Sequence, residues 1–319
     1  MVSVDVVVPC FNYARFLRQA VESAIRQDGV EVRVFIIDDC STDSTPDVGR
    51  ELAQEYAGVT FRRHAVNRGH IATYNEGIAE LAGDYFLLLS ADDYLLAGAL
   101  SRATRLMEAN ENVGFVFGRA IMIGDNGASW PMVPLARGMV RNGATVLSGR
   151  RFVKLASARN IVPTPTAVVR TKVQVAAGGY RPELPHTGDM EMWLRLSGRA
   201  AVGYVDADQA VYRLHGTNMS MAYEGIEDLE ARRKALDAFF ADGAYRIDPS
   251  GALRRKCLHN FSGEAFRHAR MALNRDETLV AERFKDYGLA MSPTARLSLD
   301  WLKLMAKQTI RRQSPPSMR

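Results

Sequence analysis

The sequence predicts an α/β fold: a mostly parallel sheet flanked by helices, followed by an α-helical C-terminal region. Three observations predict it. Over the first 120 residues, short apolar runs alternate with segments whose apolar residues recur at helical spacing. The runs are apolar throughout, as in strands covered on both faces. After Met221 no strand-like run remains, and the pattern is helical to the end.

The elements follow in order. Residues 4–8 make a first strand, and Leu17, Ala20, Val21 and Ala24 line one face of the helix after it. Residues 32–37 make a second, followed by Val48, Leu52 and Tyr56 on a helix that starts at Ser44-Thr45-Pro46-Asp47. That start offers a capping hydroxyl, a first-turn proline and an early acid. Residues 59–62 precede a helix bearing Ile71, Tyr74, Ile78 and Leu81, and residues 85–89 precede one bearing Leu96, Leu100, Ala103 and Met107. Residues 113–117 read as a fifth strand of the same sheet. Residues 122–148, rich in Gly, Pro and Asn, read as an excursion. A strand near 167–169, a helix over 188–197 and strands near Val202 and Val211 follow. The expected division is a sheet-bearing domain over 1–220, with halves 1–120 and 121–220, and a helical region over 221–319.

At 319 residues the chain is long enough for a full core, and 47% hydrophobic content places it among globular proteins. The net charge of +5 is carried by Lys303, Lys307, Arg311, Arg312 and Arg319, with no acid over residues 301–319. A nucleic-acid-binding body would carry that excess on its folded domain, so no nucleic-acid partner is expected. A basic tail points instead to an acidic partner or a membrane surface. Arg296, Asp300, Lys303, Lys307 and Arg311 form one polar stripe, with Leu297, Trp301, Leu302, Leu304, Met305 and Ile310 over the remainder. Such a helix either packs on its own domain or lies in a membrane interface with Trp301 among headgroups. Cys10, Cys40 and Cys257 form no metal-binding spacing and suit a reducing compartment. The start lacks a basic segment before its apolar run, and no run reaches the ~20 residues of a spanning helix. The expectation is a cytoplasmic protein, with peripheral contact at the inner membrane face through the last helix.

Ligands of open α/β sheets sit beyond the carboxyl ends of the strands. There this chain places Pro9-Cys10-Phe11-Asn12, Asp38-Asp39-Cys40-Ser41-Thr42-Asp43 and Ser90-Ala91-Asp92-Asp93. Neither G-x-G-x-x-G nor G-x-x-x-x-G-K-[ST] occurs, so any phosphate is held without a glycine cradle. Two adjacent carboxylates at a strand mouth are tolerable if a divalent cation lies between them and an anionic substrate. Oxygen donors of this kind suit Mg²⁺ or Mn²⁺. Alternatively one of the two caps the next helix.

The order VVVPCFNY, FIIDDCSTD, NRGHIATYNEG, GDYFLLLSADD, with GGYRPEL and TGDMEMWLRL further on, resembles the family 2 glycosyltransferases of GT-A fold, over roughly residues 2–215. The resemblance implies an inverting, metal-dependent transferase. It would use a UDP- or dTDP-sugar and a saccharide or lipid-linked acceptor of surface polysaccharide synthesis. It implies nucleotide contacts from Pro9, Phe11 (stacked on the base), Asn12, Asp39 (accepting the base N–H) and Asp92. Asp93 would be the metal ligand and His215 a further one. Asp38 is the more structural of its pair. Tyr74 stands where the family often has arginine, so Arg68 or His70 is left to meet the phosphates. Ser90 and Gly188 also replace commoner acids. Asp189 is the implied base. An inverting transferase needs only one, because a metal-bound diphosphate leaves without protonation; a glycosidase needs two carboxyls. Glu191, two residues along the helix, points elsewhere. Trp193 fits core or acceptor wall equally. The rivals are a sugar-1-phosphate nucleotidyltransferase, which lacks its glycine-rich basic loop here, and a catalytically silent nucleotide-sugar-binding protein.

Overall fold

The computed structural model describes residues 1–135, 139–140, 143–216, 225–242 and 247–313, with only the backbone at 311–313. In chain order the strands are β1 (Ser3–Cys10), β2 (Glu31–Asp38), β3 (Val59–Arg63), β4 (Tyr85–Leu88), β5 (Tyr94–Leu95), β6 (Val113–Gly124), β7 (Ser129–Met132), β8 (Ala144–Leu147), β9 (Val168–Arg170) and β10 (Ala201–Leu214). Helices α1 (Ala14–Ile25), α2 (Thr45–Glu55), α3 (His70–Ala79) and α4 (Ala99–Glu108) link the first strands. Later come α5 (Gly149–Ala156), α6 (Thr171–Ala177) and α7 (Gly188–Ser197), then α8 (Gly225–Ala241), α9 (Ala252–Asn274), α10 (Thr278–Met291) and α11 (Leu299–Gln313).

Strand β1 lies inside its sheet, with Val4, Val6, Val7 and Val8 buried and the one acid, Asp5, satisfied by Arg33 and the N–H groups of Ala82 and Gly83. It pairs in parallel with β2 and β4, and β2 with β3, so their carboxyl ends open on one side. Gly77 brings α3 hard onto β1: a Cβ there would sit 2.3 Å from Val7 Cγ1. The full order is β3-β2-β1-β4-β9-β6-β10-β5.

The fifth strand, β6, belongs to the same sheet, with the strand near 167–169, β9, inserted between β4 and β6 and antiparallel to both. The structure corrects three expectations. The two strands near Val202 and Val211 are one strand, β10, bulged between Val205 and Ala210. The excursion at 122–148 carries β7, which pairs with β6, and β8, which pairs with β10. Finally, Ser44 makes no side-chain cap. Asp43 does that work instead, accepting from the Thr45 N–H at 2.9 Å and the Ala14 N–H at 3.1 Å, so one carboxylate serves the starts of two helices.

One face of the sheet is covered through Leu17, Ala20, Val21 and Leu100. The other has an aromatic core of Phe115, Phe117, Phe152 and Trp193 that continues to Phe239, Phe261, Phe266 and Leu304 of the last helices. Trp193 is therefore core, its ring 5.5 Å from that of Phe115. Trp301 also faces inward, 5.2 Å from Phe266, beside an Arg270–Asp300 ion pair of 3.1 Å. That contact is the packing alternative of the two the sequence left open for the last helix. Leu297, Leu299 and Leu302 remain exposed, next to exposed Arg296 and Lys303. Among the described residues no helix is long and apolar enough to cross a membrane. Arg311 lies outside the described side chains.

Candidate functional site

The first wall is the pair of loops after β1 and β2. Asn12 takes a left-handed φ of 60°, and its side chain ties one loop to the other. Its Oδ1 accepts from Thr42 N at 2.8 Å, and its own N–H donates to Ser41 Oγ at 2.8 Å. This clamp leaves Phe11 43% exposed, an apolar side chain at the rim. Asp38 is buried beneath, accepting from the Ser41 N–H and hydroxyl and facing Arg63 Nε at 3.2 Å.

Asp39 is also buried, yet it lines the cleft. Its Oδ1 meets His64 Nδ1 at 2.7 Å and accepts from Arg68 N at 2.7 Å, while Oδ2 accepts from Gly69 N at 2.8 Å. A carboxylate has about four acceptor positions, so one remains for a ligand N–H. His64 bridges on to Glu76 at 3.0 Å. Burial would raise the Glu76 carboxyl, but Arg62 and His64 hold it below the ordinary range. The Arg68 guanidinium pairs with that same Glu76 at 2.6 Å and stays outside the cleft lining. His70 does line it.

The carboxyl end of β4 leads to the second acidic pair. Helix α4 begins only at Ala99, with Gly98 before it, so neither Asp92 nor Asp93 caps a helix. Both carboxylates are buried. Asp92 Oδ2 lies 3.0 Å from His215 Nε2, and the Tyr13 hydroxyl bonds the same carboxylate. Asp93 Oδ1 accepts from the Arg213 N–H at 2.9 Å. Burial, and then the charge of Asp92, push the Asp93 carboxyl well above the usual range. His215 stands behind Asp92, stacked on Phe16 at 5.7 Å, and does not itself line the cleft.

Facing this pair is Asp189, in the first turn of α7, where the helix N-terminus favours an anion. Its Oδ2 accepts from Thr164 Oγ1 at 2.9 Å, and Tyr180 bonds it as well. Burial nevertheless raises its pKa; Thr164, Tyr180 and His70 only temper the rise. Glu191 points away into a buried ion triad with Arg181 at 3.0 Å and Arg195 at 2.6 Å. Tyr74 stands between the two walls, its ring 5.4 Å from His70 and 5.3 Å from Tyr180. Burial, then Asp189, then Asp92 raise its phenol well above the ordinary value. One side chain thus feels both carboxylate groups.

The walls enclose one cleft of about 780 Å³. Pro9, Phe11, Asn12, Asp39, Asp92, Asp93 and Asp189 all line it; Arg68 and His215 support it from behind. Asn75 holds its halves together, donating to Tyr180 O at 2.9 Å and accepting from Tyr180 N at 2.6 Å. Sequence reasoning passed over His64, Thr164 and Tyr180. Tyr180 lay in a quoted motif, but His64 and Thr164 carry no local signal, being defined by partners 25 residues away in each case.

The model of the family described as "Glycosyl transferase family 2" matches residues 5–165. The chain belongs to glycosyl transferase family 2. One relative is the GalNAc(5)-diNAcBac-PP-undecaprenol beta-1,3-glucosyltransferase of Campylobacter jejuni, 32% identical over 123 residues. That match covers 38% of this chain and 39% of the relative, so the chain spans well under half of that enzyme. Among solved structures, S. aureus TarS 1–349 in complex with UDP-GlcNAc superposes with a TM-score of 0.60 at 17% identity, over 89% of this chain and 90% of that one. The mannosyltransferase PcManGT from Pyrobaculum calidifontis, in complex with GDP-Man and Mn²⁺, reaches 0.50 at 15% identity, over 93% and 87%. At these identities the likeness is one of fold: the transferase has the GT-A architecture, a mixed α/β sheet flanked by helices with α9–α11 appended.

Proposed function

We propose that the protein is an inverting glycosyltransferase that moves a sugar from a UDP- or dTDP-sugar to a hydroxyl of a saccharide or lipid-linked acceptor of surface polysaccharide synthesis. The observation that carries the reading is the placement of Asp189 across one cleft from Asp92 and Asp93. Phe11 offers its ring to the base, Pro9 and Asn12 shape that turn, and Asp39 keeps one acceptor position for a pyrimidine N–H. On this reading residues 1–120 serve the donor and 121–220 the acceptor. The likeness to a Campylobacter glucosyltransferase named for a PP-undecaprenol acceptor supports a lipid-linked acceptor, and the likeness to a TarS complex with UDP-GlcNAc supports a UDP-sugar.

The residues present suit a hard divalent cation, Mn²⁺ or Mg²⁺. Asp93 is buried beside a like charge, and the side-chain donors that pair brings to the cleft are carboxylates. No three His, Cys, Asp or Glu side chains converge on a metal position among the described residues, so diphosphate oxygens would complete the set. Asp93 would hold the ion with Asp92 beside it, His215 would steady Asp92 from behind, and the ion would supply the positive charge a diphosphate leaving group requires.

Asp189 accepts the proton of the acceptor hydroxyl while that oxygen attacks the anomeric carbon. The bond from that carbon to the diphosphate oxygen breaks, and the nucleoside diphosphate leaves with the electron pair. A base buried enough to have a raised pKa is well matched to this task. Asp189→Asn should lower kcat ~10²–10⁴-fold while UDP affinity stays within a factor of two; equal loss of both would make the residue structural. Only the deprotonated base works, so kcat/KM should fall as pH drops through a value above ordinary Asp, and a flat acidic limb would count against it.

Membrane contact is the smaller part of the proposal. Exposed Leu297, Leu299 and Leu302 beside Arg296 and Lys303 suit an anionic surface. Replacing the three leucines by serine should reduce co-sedimentation with anionic vesicles; unchanged sedimentation removes this contact.

A further inference from the structure

The cleft does not end at Tyr212. That residue lines it, and its phenol acts on Tyr74, so its side chain points inward. Across the sheet Tyr212 of β10 pairs with Met122 of β6, and Met122 pairs with Trp130 of β7. Residues directly opposite one another in a ladder present their side chains on the same face. Met122 and Trp130 therefore carry the face of Tyr212 outward, two strands and about 10 Å beyond it.

Trp130 is 45% exposed, an unusual position for an indole. Its six-membered ring lies beside Gly124, where a Cβ would meet two indole carbons at 3.7 and 3.8 Å and, at the hairpin side, Asn126 Oδ1 at 3.2 Å. Gly124 pairs with Leu214, and Ala120 with both Ala210 and Met132, so this face carries no charged side chain. The hairpin tip beside it is polar and exposed, through Asp125 and Asn126. A flat aromatic plate with polar groups only at its edge suits a ligand with a C–H face and a rim of hydroxyls, which is a pyranose ring. A nucleotide would require cations there.

We propose that Tyr212, Met122 and Trp130 form a saccharide platform that stacks a sugar of the acceptor distal to the reacting hydroxyl. The proposal deepens the transferase reading and rests on it. It predicts an acceptor longer than one sugar, gripped at its far end by Trp130.

The full chain contains three tryptophans, and Trp193 is buried while Trp301 packs on Phe266, so acrylamide quenching reports chiefly on Trp130. Neutral hexasaccharides of glucose, N-acetylglucosamine and galactose are titrated without nucleotide. At least one should protect the fluorescence, with calorimetric affinity falling ~10-fold in Trp130→Ala and less in Trp130→Tyr. UDP affinity with Mn²⁺ should be unchanged in both variants, which also shows that they are folded. If no hexasaccharide protects Trp130 while UDP binds, or if one binds Trp130→Ala equally well, the platform is overturned and the nucleotide reading stands. Failure of UDP to bind the unaltered protein overturns the reading beneath and is separate, because the saccharide arm uses no nucleotide.

Discussion

The chain contains two Asp-Asp pairs, each at the mouth of a parallel strand, and their surroundings could hardly differ more. Asp38 and Asp39, after β2, are largely engaged by the protein: backbone N–H groups of Ser41, Arg68 and Gly69, with Arg63 and His64, meet their carboxylates, and one acceptor position of Asp39 stays open. Asp92 and Asp93, after β4, share a buried space with few donors, and the Asp93 carboxyl is pushed far up by burial and by its neighbour's charge. The first pair has its charge met by neighbouring donors, while the second awaits positive charge. The same dipeptide thus organises a loop in one place and offers a ligand site in the other, because the number of local donors differs. Helix α7 repeats the lesson two residues apart, where Glu191 is locked by two arginines and Asp189 is left facing the cleft.

Substitutions can break this contrast. The largest effect is expected at Asp93. Asp93→Asn should cut transfer ~10³-fold and abolish the dependence of nucleotide binding on divalent ions. It should leave the urea midpoint unchanged or higher, because one of two buried like charges is gone; a clear loss of stability would place Asp93 with the first pair. At Asp38 the outcome should reverse. Asp38→Ala leaves the Ser41 donors and Arg63 without their acceptor, and should lower unfolding free energy by about 2–3 kcal/mol. Retained stability in the same titration would erase the distinction.

His64 sharpens it with the smallest change. Removing its bond to Asp39 should weaken UDP binding by a few fold, from about 1 kcal/mol of lost orientation. His64→Gln should restore part of that, and full affinity in His64→Ala would mean the two backbone N–H groups suffice.

Much of this was legible in the chain. The apolar runs of β1, β2, β3 and β4, the helix at 188–197, and the aspartates at the strand mouths are local patterns, written in consecutive residues. The strand near 167–169 was legible, but its insertion between β4 and β6 was not, since the neighbours a strand pairs with are set by residues far away in the chain. Nor was the division of labour between the aspartate pairs, which depends on Arg63, His64 and Arg213 arriving from elsewhere.

The sequence by itself determined the alternation of strand and helix and the acids that end the strands, because burial on both faces and carboxyl-end loops are properties of short segments. Only the tertiary structure decided which acids meet in one cleft and which are silenced by partners. It also decided that Trp130 shares a face with Tyr212. Those outcomes depend on donors and registers supplied by residues tens of positions away, and no local pattern encodes them.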